Sequence, residues 1–280
     1  MSARGCVIGL AEWRLPRSGA DAVRYGARVG AEGLQLDFGG PGRGEWADAP
    51  GRARALREAS AATGVALLAL AGNVLNDVGL APAPGGPAEA RVRRLLARLL
   101  DTARELAVPL AFVPSFRRGA IKGPAAFART ARTLAWAAAE AEARGLLLAS
   151  ENVLRVAGAR ALVEAVGSPA FRLVLDTFNP VHAGLDCARL VAGTAPWLAD
   201  QVHLKDGPPP VGETPPLGRG SGRLEATLAA LGRRRARVAA LVLENDYRGG
   251  GADRIAADLA WARAAVLRHG LGPGKDARAR

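Results

Sequence analysis

Along the chain, short apolar runs alternate with longer segments in which apolar residues recur every three or four positions. Runs of this length without polar alternation read as strands buried on both faces, and the segments between them as amphipathic crossover helices. The strand-like runs are CVIGLAEW, GLQLDFG, VALLALAGNVL, PLAFVPSF, LLLASE, FRLVLD, ADQVH and VAALVLE. The helical segments that follow them run from Gly19 to Gly30, Pro50 to Thr63, Pro87 to Ala107, Pro124 to Arg144, Gly158 to Val166, Asp186 to Leu198, Leu224 to Arg234 and Ala252 to His269. In the third of these, Leu95, Leu96, Leu99, Leu100 and Leu106 form one stripe. Pro87 and Pro124 stand at helix starts, where a missing amide costs nothing, and Gly64, Gly145, Gly167 and Gly270 stand just past helix ends.

Eight strand and helix alternations exceed the usual count of a doubly wound sheet and predict a single-domain α/β protein, a (βα)8 TIM barrel over residues 1–270. The last ten residues, LGPGKDARAR, carry no apolar pattern and are expected to be a disordered tail, 271–280. Three Gly- and Pro-rich connections, residues 39–49, 76–86 and 207–223, leave the same end of the barrel, where long loops cover a substrate.

Composition narrows the class. The 280 residues are 49% hydrophobic, yet no apolar run approaches the roughly 18 residues needed to span a bilayer, so no membrane is expected. The opening MSARGCVIGLAEW reaches Glu12 and Trp13 too soon for a signal peptide, which predicts a cytoplasmic protein. Cys6 and Cys187 are far apart and read as buried fillers suited to a reducing compartment. The formal charge of +12 comes from arginines dispersed on helical segments, and aromatic residues are only 5%, so a solvated surface is favoured over a nucleic-acid interface.

Four apolar runs end on a residue able to hold a metal: Glu151, Asp176, His203 and Glu244, spaced 25, 27 and 41 residues apart. Each step is one strand and helix unit, so the four groups sit at strand C-termini, which in a parallel barrel open on the catalytic face. Two Glu, one Asp and one His make a hard donor set that suits one divalent metal ion, Mn²⁺, Mg²⁺ or Co²⁺, and also accepts Zn²⁺. Without a cation the converging carboxylates repel. The rival reading pairs each group separately, Glu151 with Arg155 and Glu244 with Arg248.

Other polar residues fall at the same mouth. Glu12 and Trp13 end the first strand, Asp37 the second and Asn73 the third, while Asn179 and His182 follow the sixth. Lys205 alternates with His203 and so faces inward, the rival being a salt bridge with Asp206 or another carboxylate. Arg219, in PLGRGSG, is able to grip a carboxylate or phosphate, or to be a solvated loop residue. Trp13 is suited to stack on a sugar face, with core packing the alternative. His269 closes the last helix, where a cation suits the dipole. The glycines of FGGPGRGEW and YRGGGAD lack the spacing of a nucleotide motif, and neither cysteine has a nearby base.

The motifs GAEGLQLDFGG, SEN, LDTFN, VHLKD, PLGRGSG and LVLEND, in this order along nearly the whole chain, resemble the xylose isomerase-like barrel superfamily. Within it they resemble the sugar phosphate isomerase/epimerase group, with ketose 3-epimerases, inosose dehydratases and hydroxypyruvate isomerases. The resemblance implies that Glu151, Asp176, His203 and Glu244 are metal ligands and that Glu151 and Glu244 double as the acid/base pair. The implied chemistry is isomerisation or epimerisation of a small sugar, sugar phosphate or cyclitol ketone through an enediolate stabilised by the cation, with dehydration as the nearest variant. The substrate would be a small polyol or keto sugar, and a homodimer is an expected assembly. A nuclease like endonuclease IV shares this barrel, but it gathers three zinc ions with several histidines, and this chain has three histidines in all. Asn179 stands where many ketose epimerases carry His, and Arg219 where the family is often acidic. Asparagine still hydrogen-bonds a hydroxyl but takes no proton at neutral pH.

Overall fold

In the computed structural model, which describes residues 5–207 and 214–272, eight parallel strands close into a barrel in sequence order. The strands are β1 (Val7–Ala11), β2 (Gly33–Asp37), β3 (Ala66–Ala71), β4 (Leu110–Pro114), β5 (Leu147–Glu151), β6 (Phe171–Asp176), β7 (Leu198–Leu204) and β8 (Ala240–Leu243). Among the described residues ten α-helices occur in chain order: α1 (Gly19–Arg28), α2 (Arg52–Thr63), α3 (Leu75–Val78), α4 (Pro87–Glu105), α5 (Gly123–Glu142), α6 (Val156–Val166), α7 (Asn179–His182), α8 (Cys187–Thr194), α9 (Leu224–Arg233) and α10 (Ala252–His269). The barrel closes because β1 pairs with β8 as well as β2.

Alternation along each strand sorts the core into two regions. Ile8, Leu10, Leu34, Leu36, Leu148, Leu173, Leu175, Leu241 and Leu243 point outward and pack against the helices. The inward positions mix small groups, Ala69, Ala71, Ala149 and Ala199, with the larger Leu110, Phe112 and Val174. At about 25 cal/mol per Å² of buried apolar surface, the annulus between sheet and helices is the main source of stability. The same inward phase carries Glu151, Asp176, His203 and Glu244 to the C-terminal mouth.

Several boundaries differ from the sequence expectation. Strand one stops at Ala11, because Glu12–Arg14 curl into a 3₁₀ turn while the Glu12 carboxylate binds the backbone amides of Gly19 and Asp37. Strand three stops at Ala71, and the following residues fold into α3. The helix expected from Asp186 to Leu198 is α8 followed by a 3₁₀ turn, Ala195–Trp197, that holds Pro196. Gly64, Gly145, Gly167 and Gly270 all take positive φ, from 59° to 76°, as helix-ending glycines do. Of the expected tail, Leu271 is buried and the Gly272 carbonyl accepts from the Val238 amide, while 273–280 lie outside the described residues. Residues 208–213 of the long loop after β7 lie outside them too. Among the described residues no helix is long and apolar enough to cross a membrane.

Candidate metal centre and active site

Asp176 stands opposite His203 in the β6–β7 ladder, and the Glu244 amide continues the β7–β8 ladder by donating to the Leu204 carbonyl at 2.8 Å. Glu151 ends β5 with its own carbonyl bound by the Ser115 amide at 2.8 Å. Held this way, Glu151, Asp176, His203 and Glu244 each present one donor atom, and these atoms lie within 4.8 Å of one another. All four residues are buried, at 5%, 2%, 0% and 5% exposure. It is the one such group of His, Cys, Asp and Glu among the described residues.

Three of the donor atoms, Asp176 Oδ2, His203 Nδ1 and Glu244 Oε2, are buried without a hydrogen-bond partner. Orphaned buried polar atoms are costly, and three converging on one point mark the place of a cation. His203 Nδ1 lies 3.7 Å from Glu151 Oε2 and 3.8 Å from Glu244 Oε2, a spacing that leaves room for an ion between them. The residues therefore fit a divalent metal, with the remaining carboxylate oxygens used to orient the ligands.

Those orienting bonds are specific. Asp176 Oδ1 accepts the Phe178 amide at 2.8 Å and also the Asn179 amide. Glu151 Oε1 accepts from Asn179 Nδ2 at 2.8 Å. Glu244 Oε1 accepts from Trp13 Nε1 at 2.8 Å and from Arg14 at 3.3 Å through Nε and 3.2 Å through Nη2. Lys205 Nζ reaches Asn179 Oδ1 at 3.2 Å and Glu244 Oε2 at 3.8 Å.

Burial and charge act in opposition here. Burial raises the Asp176 carboxyl above its ordinary range, and the nearby Lys205 only partly offsets it. Burial pushes Glu244 the same way, but the Lys205 and Arg14 cations win and hold it well below the ordinary carboxylate range. For His203 burial acts downward, and its contact with Glu151 and the surrounding acids raise it instead. Burial likewise acts downward on Lys205, and Glu244 and Asp176 keep it raised and charged.

The two separate pairings, Glu151 with Arg155 and Glu244 with Arg248, that would have made the four groups structural do not form. Glu244 is paired with Arg14, and Arg248 binds Asp246; Glu151 is met by Asn179 and His203 instead of Arg155. Lys205 pairs with Glu244, and Asp206 is occupied elsewhere, accepting the backbone amides of Gly207, Gly218, Gly220 and Gly222 at 2.8 to 3.0 Å. That acceptor ties the GRGSG loop beside the mouth. Gly220 and Gly222 are required there, since a Cβ would come within 2.3 and 2.8 Å of Asp206 Oδ1.

The other candidates divide. Trp13 packs against His203 and Phe112, with ring centroids 6.1 and 6.0 Å apart, besides holding Glu244. Both oxygens of Glu12 are engaged by backbone amides, so it acts as a clamp between the β1 and β2 ends. Asp37 and Asn73 bond each other at 3.2 Å on the same rim. His182 is exposed and lies 6.0 Å from the Phe178 ring, and Arg219 is exposed in the loop; neither is joined to the four donors. His269 meets Glu225 at 2.6 Å on the outer surface.

Sequence reasoning missed Arg14, Asp206 as a loop anchor, and two fully interior amides. Gln201 Nε2 donates to the Leu68 carbonyl at 2.9 Å, Gln35 Nε2 donates to Gln201 Oε1 at 2.9 Å, and Gln35 Oε1 meets His203 Nε2 at 2.8 Å. The available signal was a glutamine inside each apolar run, GLQLD and ADQVH, because a buried amide needs partners.

Beside Trp13 opens a cavity of about 360 Å³, lined by Glu12, Asp37, Ser18 and the guanidinium-bearing Arg17, Arg43, Arg52 and Arg248.

Comparison with known proteins agrees with this geometry. The chain is 60% identical over 262 residues to a 2-epi-5-epi-valiolone 7-phosphate 2-epimerase of Actinoplanes sp. strain SE50/110, covering 94% of this chain and 95% of that one. Among solved structures, a xylose isomerase domain protein from Planctomyces limnophilus superposes with a TM-score of 0.76 at 17% identity, over 95% of this chain and 98% of that one. A D-psicose 3-epimerase from Clostridium cellulolyticum H10, solved with D-tagatose, does so at 0.73 and 16%, over 93% and 99%. At such identities these structures speak for the fold alone. The model of the xylose isomerase-like TIM barrel matches residues 23–265, and the chain belongs to that family.

Proposed function

We propose that this enzyme is a divalent-metal-dependent epimerase that inverts the carbon beside the ketone of a small phosphorylated cyclitol or keto sugar. The observation that carries the reading is the convergence of four donors within 4.8 Å, three of them buried without a hydrogen-bond partner. The 60% identical relative, named for a phosphorylated cyclitol ketone and its C2 inversion, supports the substrate class.

Glu151, Asp176, His203 and Glu244 would hold the ion, Mn²⁺, Mg²⁺, Co²⁺ or Zn²⁺. Such a cation polarises a carbonyl oxygen and acidifies the neighbouring C–H. The chain supplies the rest. Glu151 comes from the end of β5 and Glu244 from the end of β8; on this reading they would take opposite sides of the bound carbon, one removing a proton and the other returning it. Asn179 and Lys205 face the same space and are placed to bind substrate hydroxyls. Asn179 takes no proton at neutral pH, which leaves the two glutamates as the proton carriers. The arginine-lined cavity beside Trp13 suits a phosphate on the far side of the ring; Arg17 bonds only the Pro16 carbonyl among the described residues. The buried thiols Cys6 and Cys187 support a reducing compartment, the cytoplasm.

The test is metal content after purification without chelator, then deuterium uptake from solvent into phosphorylated and unphosphorylated inososes and keto sugars. The expected result is metal-dependent label at the carbon beside the ketone, stronger for the phosphorylated forms and absent in Glu151→Gln and Glu244→Gln. Protein that binds no divalent ion, or label retained in both variants, refutes the reading.

A further inference from the structure

The β2–β3 ladder contains a bulge. Leu34 pairs with Leu67 and Gln35 with Ala69, so Leu68 has no partner residue on β2. A bulge leaves the extra residue out of the ladder and re-aims its neighbours. The Leu68 side chain lies against Gly9 and Gly33, where a Cβ would come within 2.8 and 2.7 Å of Leu68 Cδ1. Small residues on β1 and β2 therefore make room for the bulge.

The Leu68 carbonyl starts a chain of bonds with only one possible direction. A carbonyl oxygen can only accept, so Gln201 presents its NH₂ to it and turns its oxygen away. That oxygen accepts from the Gln35 NH₂, which turns the Gln35 oxygen toward His203 Nε2. An amide oxygen also only accepts, so the ring proton of neutral His203 belongs on Nε2. The lone pair is then left on Nδ1, the unpartnered atom that faces Glu151 and Glu244. Gln35, Gln201 and His203 are 0%, 4% and 0% exposed, so water does not compete for these bonds.

The surrounding carboxylates pull the other way. A proton on Nδ1 would point at two glutamate oxygens, and it would block the atom a metal needs. We propose that Gln201 and Gln35 are positioning residues that set the His203 tautomer from the Leu68 carbonyl, keeping Nδ1 bare for a divalent cation. Hydrogen bonds to the distal nitrogen of a ligating histidine commonly orient it in this way, and losing them weakens metal binding about 10- to 100-fold. The purpose of the relay rests on the metal reading above, whereas the tautomer does not.

The experiment is long-range ¹⁵N–¹H correlation on ¹⁵N-histidine-labelled, metal-free protein, at a pH where the ring is neutral, paired with Mn²⁺ titration. Wild type is expected to carry the proton on Nε2; finding it on Nδ1 overturns the proposal without any variant. Gln201→Met touches neither His203 nor the ion, but it frees the Gln35 amide to turn. It is expected to move the proton toward Nδ1 and to raise the Mn²⁺ dissociation constant about 10- to 100-fold. Gln201→Met with the wild-type tautomer and unchanged Mn²⁺ affinity overturns the relay, and Gln201→Asn is the second variant if Met does not fold. Absence of Mn²⁺ binding in wild type would refute the metal reading, while the tautomer signal is judged separately.

Discussion

Trp13 donates its indole N–H to Glu244 Oε1 across 2.8 Å, joining the end of the first strand to the end of the last, 231 residues away. Arg14 takes the same oxygen, so Oε2 alone is left toward the centre. Hydrogen bonds to a charged group contribute about 1.5–3 kcal/mol. Trp13→Phe keeps the ring and removes the donor. It is expected to leave the barrel folded and weaken Mn²⁺ binding by roughly 10-fold; calorimetric titration showing wild-type affinity would contradict this role.

Lys205 and Arg14 are the cations set against the three buried carboxylates. Lys205→Met is expected to lower the melting temperature of chelator-treated protein more than that of metal-loaded protein, because a bound dication replaces the missing charge. Scanning calorimetry with and without Mn²⁺ gives the comparison. Equal losses in both states would mean that Lys205 acts through packing.

Burial raises the Glu12 carboxyl from 4.5 to about 6, with the Gly19 and Asp37 amides pulling only partly the other way. A carboxyl raised on folding binds its proton more tightly in the folded state, so its contribution is complete below pH 4.5 and is lost as pH rises through about 6. The shift corresponds to about 2 kcal/mol. Urea denaturation of chelator-treated Glu12→Gln, compared with wild type, should therefore shift in favour of the variant by about that amount between pH 4.5 and 7. A constant difference across this range would show that Glu12 does not titrate there.

Asp206 gathers four backbone amides onto one carboxylate. Asp206→Ala is expected to destabilise the protein by at least about 3 kcal/mol and to open the loop after β7 to limited proteolysis. Intact mass after brief protease exposure locates the cut. Cleavage elsewhere first would mean that the loop is held by other contacts.

Burial pushes the Cys6 and Cys187 thiols up to about 12, and they are 9% and 2% exposed. The thiolate is the reactive form, so neither should be alkylated by iodoacetamide at neutral pH until the protein is unfolded. Native labelling of Cys6 would show that the start of β1 opens readily, and of Cys187 that the start of α8 does.

The alternation of apolar runs and helical stripes determined much of this protein by itself. A buried strand and an amphipathic helix each leave a local period, so eight units and the phase of Glu151, Asp176, His203 and Glu244 were readable without any fold in hand. So were the helix-ending glycines and the inward aim of Lys205. Boundaries were less legible where a side chain overrode the period, as Glu12 does at the end of β1.

Tertiary structure alone decided which donor meets which acceptor. Gln201 and Leu68 are 133 residues apart, Gln35 and Gln201 166, and Arg14 and Glu244 230. Nothing in a local pattern encodes such distant pairings, because they exist only once the barrel has closed and set the register of its strands. For the same reason Arg219 and His182, which sit in motifs that point to the mouth, ended exposed, while Arg14 and Gln35, which no motif singled out, reached the centre. Periodicity reports burial; hydrogen bonding between distant strands depends on register, and register is a property of the closed sheet.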